Sequence, residues 1–116
     1  MSNIKSRLLP EAIRTVNSAS FDGTTFLPFK NAAAANSPIT NASRCLIIVN
    51  DSGVKAFISW DGTNDNIVIP AGGSFIFDEQ SNSVPNCDYV TAAGTQFYAR
   101  GALSTGLVYL STFYAA

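Results

Sequence analysis

Residues 44–78 read RCLIIVNDSGVKAFISWDGTNDNIVIPAGGSFIFD, and this stretch decides the fold. It opens on Cys45, Leu46, Ile47, Ile48 and Val49, an unbroken apolar run that suits a strand covered on both faces. Asn50-Asp51-Ser52-Gly53 follows. Asn and Asp bond to nearby backbone and Gly tolerates positive φ, so the pattern predicts a tight turn. Residues 54–60 then alternate, with Val54, Ala56, Ile58 and Trp60 on one face and Lys55, Phe57 and Ser59 on the other. The two segments read as an antiparallel hairpin. Residues 61–66 (DGTNDN) predict a second turn, 67–69 a short strand stopped by Pro70, and Ala71-Gly72-Gly73 a third turn. In 74–78, Phe75 and Phe77 share a face opposite Ile76. The whole stretch predicts a four-stranded meander, which buries a face well only against a second sheet.

Working outward, residues 1–10 read as an extended N-terminal arm, mobile or bound to a partner. Residues 12–20 predict a strand: Ile13, Thr15 and Val16 and the Asn-Ser-Ala-Ser tail outweigh the helical start at Glu11. Asp22-Gly23-Thr24-Thr25 is a turn, and 26–29 a short edge strand, since Pro28 cannot donate to a ladder. Residues 30–43 read as a surface loop. On the other side, 79–88 is a polar loop with Pro85, 89–91 a short strand, 95–100 a strand and 107–114 a strong final strand. The fold class expected is all-β: one domain over 11–116, an antiparallel β-sandwich of jelly-roll type, or a barrel, of about eight short strands.

The 116 residues suffice for a core without metal or disulfide staples. Only 13% are charged, and the charge is uneven: residues 1–44 carry +3 and residues 45–116 carry −4. That polarity suits a basic arm, with Lys5, Arg7 and Arg14, docking on a neighbour's acidic turns at Asp61 and Asp65, against the plainer reading of scattered solvated charge. No basic cluster is dense enough for nucleic acid. The longest strictly apolar run is five residues, too short for a membrane span. No secretory leader is expected, so the Asn41-Ala42-Ser43 triplet reads as chance. Cys45 and Cys87 can bond, but a small buried thiol is the expected role of Cys45.

The chain has no histidine, which removes His-based triads and zinc–His sites. It has no phosphate-binding glycine loop. Asp61 and Asp65 with Asn64 and Asn66 offer oxygen ligands, but the spacing is not that of an EF-hand, and these are ordinary turn residues. No cofactor or metal is called for. Trp60 beside Asp61 would make a sugar platform if exposed; its face, shared with Ile58 and Val54, reads as core. Tyr109 and Tyr114 suit either a subunit contact or an intramolecular surface.

Five segments carry a resemblance: EAIRTVNSASF (11–21), SRCLIIVNDS (43–52), ISWDGTND (58–65), IPAGGSF (69–75) and GLVYLSTFYA (106–115). Together they resemble small virion structural proteins of tailed bacteriophages, over nearly the whole chain. The most specific parts are SWDG (59–62) and PAGG (70–73). The resemblance implies a non-enzymatic protein located in the virion. It would assemble in many copies, as a ring at the head–tail junction (neck, collar or connector) or as a capsid decoration. Portal, tail or major capsid proteins would be its neighbours. A carbohydrate-binding module or tail adhesin is the alternative from another class.

Overall fold

The computed structural model describes residues 8–31, 37–78 and 91–115. Nine strands follow in order: Leu8–Pro10 (β1), Arg14–Asn17 (β2), Leu27–Pro28 (β3), Cys45–Ser52 (β4), Ala56–Ser59 (β5), Ile67–Ile69 (β6), Ser74–Asp78 (β7), Tyr98–Arg100 (β8) and Gly106–Ala115 (β9). They form two antiparallel sheets. One is five-stranded, in the order β1-β9-β4-β7 with β2 also on β9; the other is four-stranded, in the order β3-β8-β5-β6. Both sheets are open among the described residues, so the barrel alternative falls away.

The pairings nest. β2 pairs with β9, β3 with β8, β4 with β7 and β5 with β6, as in one long hairpin. The hairpin is then rolled so that β4 lies against β9 and β5 against β8. This is a jelly roll, the sandwich version of the expected fold class.

The expected 44–60 hairpin is not formed, and neither is the meander. β4 and β5 lie in different sheets, and so do β6 and β7. The turn signal at 50–53 is real, but it marks a corner between layers. β4 runs on through Asn50, Asp51 and Ser52, paired with β9 as far as Gly106. Gly106 has φ 100°, and a Cβ there would lie 2.1 Å from the Asp51 carbonyl oxygen, so only glycine lets β9 begin against β4.

Asn50 holds the corner. Its backbone belongs to the five-stranded sheet side, donating to Gly73 O (2.9 Å) and accepting from Gly72 N (2.9 Å). Its side chain is fully buried and reaches the other layer. The amide donates to Val54 O (2.8 Å), Ile69 O (2.9 Å) and Pro70 O (3.1 Å). Its Oδ1 accepts from the Ser52 hydroxyl (2.6 Å) and the Ser52 N–H (3.2 Å). The same Asn that suits a turn thus satisfies carbonyls at both crossovers, β4 to β5 and β6 to β7.

The core lies between the layers. Val16, Leu46, Ile48, Val108 and Leu110 face it from the five-stranded sheet. Ala56, Ile58, Ile69 and Ala99 face it from the other, with Phe29, Phe97, Ile39 and Phe21 added from connecting segments. The sequence placed β5, β6, β7 and β9 within a residue or two. Two short elements differ. Only Arg14–Asn17 of the expected 12–20 strand is β; Ser18–Ser20 is a 3-10 turn, because Asn17 caps it by accepting from Ala19 N. The last three residues of the expected arm form β1, which lengthens the β9 edge. The 79–88 loop, with Cys87, and residues 89–90 of the strand expected at 89–91 lie outside the described residues; Thr91 forms an isolated antiparallel bridge with Ser43.

Replacing Asn50 with Ala takes one donor from three carbonyls of two crossovers; Val54 O keeps the Ser52 hydroxyl and Pro70 O keeps the Gly73 N–H. We expect a loss of about 1–3 kcal/mol, the cost of a buried polar group left unpaired. Urea unfolding monitored by circular dichroism measures it; a loss under about 1 kcal/mol would contradict Asn50's role.

Candidate functional site

Of the seven residues singled out in the sequence, the five that are described do not come together at one site. Lys5 and Arg7 lie outside the described residues. Arg14 was expected on an assembly surface, and the structure corrects this: it is buried, at 6% exposure. Its guanidinium donates to Ser37 O (2.6 Å), Pro38 O (3.1 Å) and Ala12 O (3.3 Å), and pairs with Glu11 at 3.0 Å. Glu11 completes the clamp by accepting from Thr40 N (3.1 Å), Asn41 N (2.7 Å) and the Asn41 amide (3.0 Å). Together they tie the 37–41 loop to β2. The basic residue was legible in the sequence, but the carbonyls that bury it come from residues more than twenty positions away.

Asp61 is exposed and folds back on its own turn. It accepts from the Asn64 and Thr63 N–H groups (2.9 and 2.8 Å), the Ser59 hydroxyl (2.8 Å) and the Asn64 amide (3.1 Å). These bonds, the two backbone ones first, hold its carboxyl well below the usual carboxylate range. Asp65 serves a different group: it pairs with Arg100 across the sheet, which lowers its pKa and raises that of Arg100. The two carboxylates therefore do not converge on a common ligand.

Arg100 was missed in the sequence. On the outer face of the four-stranded sheet its guanidinium lies 4.5 Å from the Phe57 ring centroid and 5.6 Å from that of Phe26, and it donates to Gly23 O (2.9 Å). Phe57 and Arg100 are direct register partners on β5 and β8. An open hollow of about 400 Å³ lies beside them, bordered by Lys55, Val54 and Gly101. Trp60 is half-buried, its ring edge-on to Phe97 at 5.1 Å and 62°. Its face was legible, and the ring supports the edge of the core.

Tyr109 lies on the outer face of the five-stranded sheet, half-buried. Tyr114 belongs to the opposite parity of β9, beside Glu11 and Asn41 at the sandwich end. The outer face around Tyr109 gathers three of the exposed large hydrophobic side chains, Ile13, Val49 and Ile76. Its rows follow from the register: Pro10–Phe113–Cys45–Asp78, then Ser111–Ile47–Ile76, then Lys30–Thr15–Tyr109–Val49–Ser74, then Asn17–Leu107–Asp51. Ile76 is 64% exposed, Val49 38% and the adjoining Ile13 54%. The apolar run at 45–49 predicted cover on both faces. Among the described residues β4 is fully covered on the inner face only, where Leu46 and Ile48 sit. Comparison with protein-family models, with curated proteins and with solved structures finds no match for this chain.

Two outcomes check the local accounts. Burial raises the Glu11 pKa, but hydrogen bonds from Thr40, Asn41 and Arg14 outweigh it and leave the pKa below the ordinary 4.5. The folded pKa lies under the unfolded one, so Glu11 stabilises the fold above pH 4.5 and the contribution is lost as pH falls through the folded value. Glu11→Gln should flatten the stability–pH curve below that point; an unchanged acid limb contradicts the clamp. Trp60→Ala should cost about 2–3 kcal/mol, less than a fully buried Trp. A urea-derived loss under about 1 kcal/mol would mean the ring does not support the core.

Proposed function

We propose that this protein is a non-enzymatic structural component of a tailed-phage virion, assembled in multiple copies, with the head–tail junction as its site. The observation that carries the reading is the outer face of the five-stranded sheet: a broad apolar surface without an internal charge, on a strand whose sequence is apolar on both sides. Such a surface suits contact with protein. The resemblance at 43–52, 58–65 and 69–75 gives the contact its setting. Jelly rolls are used in viral shells and also in lectins, so the fold alone does not decide. The polar side chains with most partners, Asn50, Glu11, Arg14 and Asp61, all serve the fold itself. Capsid decoration uses the same properties and differs only in location.

A carbohydrate-binding reading is favoured by one observation, the Phe57–Arg100 surface with its adjoining hollow, where an aromatic face stands beside hydrogen-bonding groups. A glycan array with hits abolished by Phe57→Ala would support it.

For the structural reading, mass spectrometry of purified particles should find the chain at a fixed copy number, and gold-labelled antibody should mark the head–tail junction. Label spread over the capsid makes it a decoration protein. Particles that lack the chain overturn the reading.

A further inference from the structure

We infer that the outer face of the five-stranded sheet binds the same face of a second copy, related by a two-fold axis running along the strands. The inference deepens the structural reading and rests on it only in treating this face as a contact.

Three properties point to a second copy as the occupant. The first is charge. A surface that meets itself brings each group near its own copy, so internal charge would repel. Inward of Lys30, the rows through Ile47 and Val49 hold only Ser111, Thr15, Ser74 and the Tyr109 hydroxyl as polar groups. The charged groups stand at the margins: Lys30 beyond β2 on one edge, Asp78 on β7 at the other, and Asp51 at the end of β4. A two-fold axis along the strands keeps each row at its own level, so Lys30 comes over its partner's Ser74, and the edge charges Lys30 and Asp78 are both carried away from their own copies.

The second property is size. Four strands at about 4.8 Å spacing and eight residues of β4 at about 3.4 Å each give a face of about 500 Å². Two such faces bury about 1,000 Å², the lower limit for a specific interface. The third is shape. Aligned sheets pack face to face at about 10 Å with their strands nearly parallel, and this axis keeps them so. Ile76 and Ile13, exposed on opposite sides of the face, then meet the partner's opposite edges, while Tyr109 sits near the axis. A two-fold contact closes on itself, so ring contacts fall to other surfaces of the chain.

Sedimentation equilibrium of the full chain from about 1 to 500 µM tests this. An interface of this size should give a dimer with a midpoint in the micromolar range. Ile76→Glu and Ile13→Glu should each raise the dissociation constant at least tenfold, with circular dichroism and melting temperature unchanged, since both side chains are mostly exposed. Val68→Glu, equally exposed on the four-stranded sheet, should leave association as it is. A monomer at 500 µM overturns the pairing, and so does association that responds to Val68→Glu but not to Ile76→Glu. Incorporation into particles is read separately. A chain that enters particles yet never self-associates overturns the pairing alone, whereas a chain absent from particles overturns the structural reading.

Discussion

The buried amide of Asn50 is the contact on which the two layers depend. A jelly roll must carry its chain from one sheet to the other at several corners, and each corner leaves backbone carbonyls without ladder partners. Here the β4–β5 and β6–β7 crossovers meet at one place, and a single side chain donates to both. Ser52 fixes the amide's orientation by donating to its oxygen. The geometry needs a short side chain with both a donor and an acceptor end, on a strand that faces inward. Asn meets that need at a position where an aliphatic residue would otherwise sit, level with Val108 across the ladder.

With the corner fixed, the remaining strands have little freedom. β4 and β9 share eight register pairs and form the spine of the larger sheet. β7 and the β1–β2 edge flank them, and the inner side chains meet those of β5, β8 and β6. The outer side chains of the spine are the remainder. Nothing in the inner packing requires Ile47, Val49 and Ile76 to be apolar. The proposed function and the proposed pairing would account for their character by a contact outside the chain, and both rest on that point.

Much of this was legible in the sequence. Alternation and turn residues located β5, β6, β7 and β9, and Pro28 correctly marked an edge strand. What was illegible is which sheet each strand joins. Asn-Asp-Ser-Gly announces that the chain bends, yet the same residues build a hairpin or a corner between layers. The choice is made by distant partners, Ile69 O and Pro70 O for Asn50 and Gly106 for Ser52. Arg14 shows the same limit: as a basic residue near the N-terminus it read as surface, and only the loop carbonyls at Ser37 and Pro38 reveal it as buried. Arg100 gave no local signal at all, because its partners Phe57, Phe26 and Asp65 come together only through strand register and a long turn. Conversely, the unbroken 45–49 run predicted cover on both faces, and among the described residues only the inner face, with Leu46 and Ile48, is covered, while Val49 is exposed.

The most direct test is a reconstruction of intact particles by electron cryo-microscopy, at a resolution that traces strands. The account predicts jelly-roll density in which the β7-β4-β9 face is buried against another protein surface. Density in which that face is turned to solvent, with the contacts made elsewhere, would contradict it.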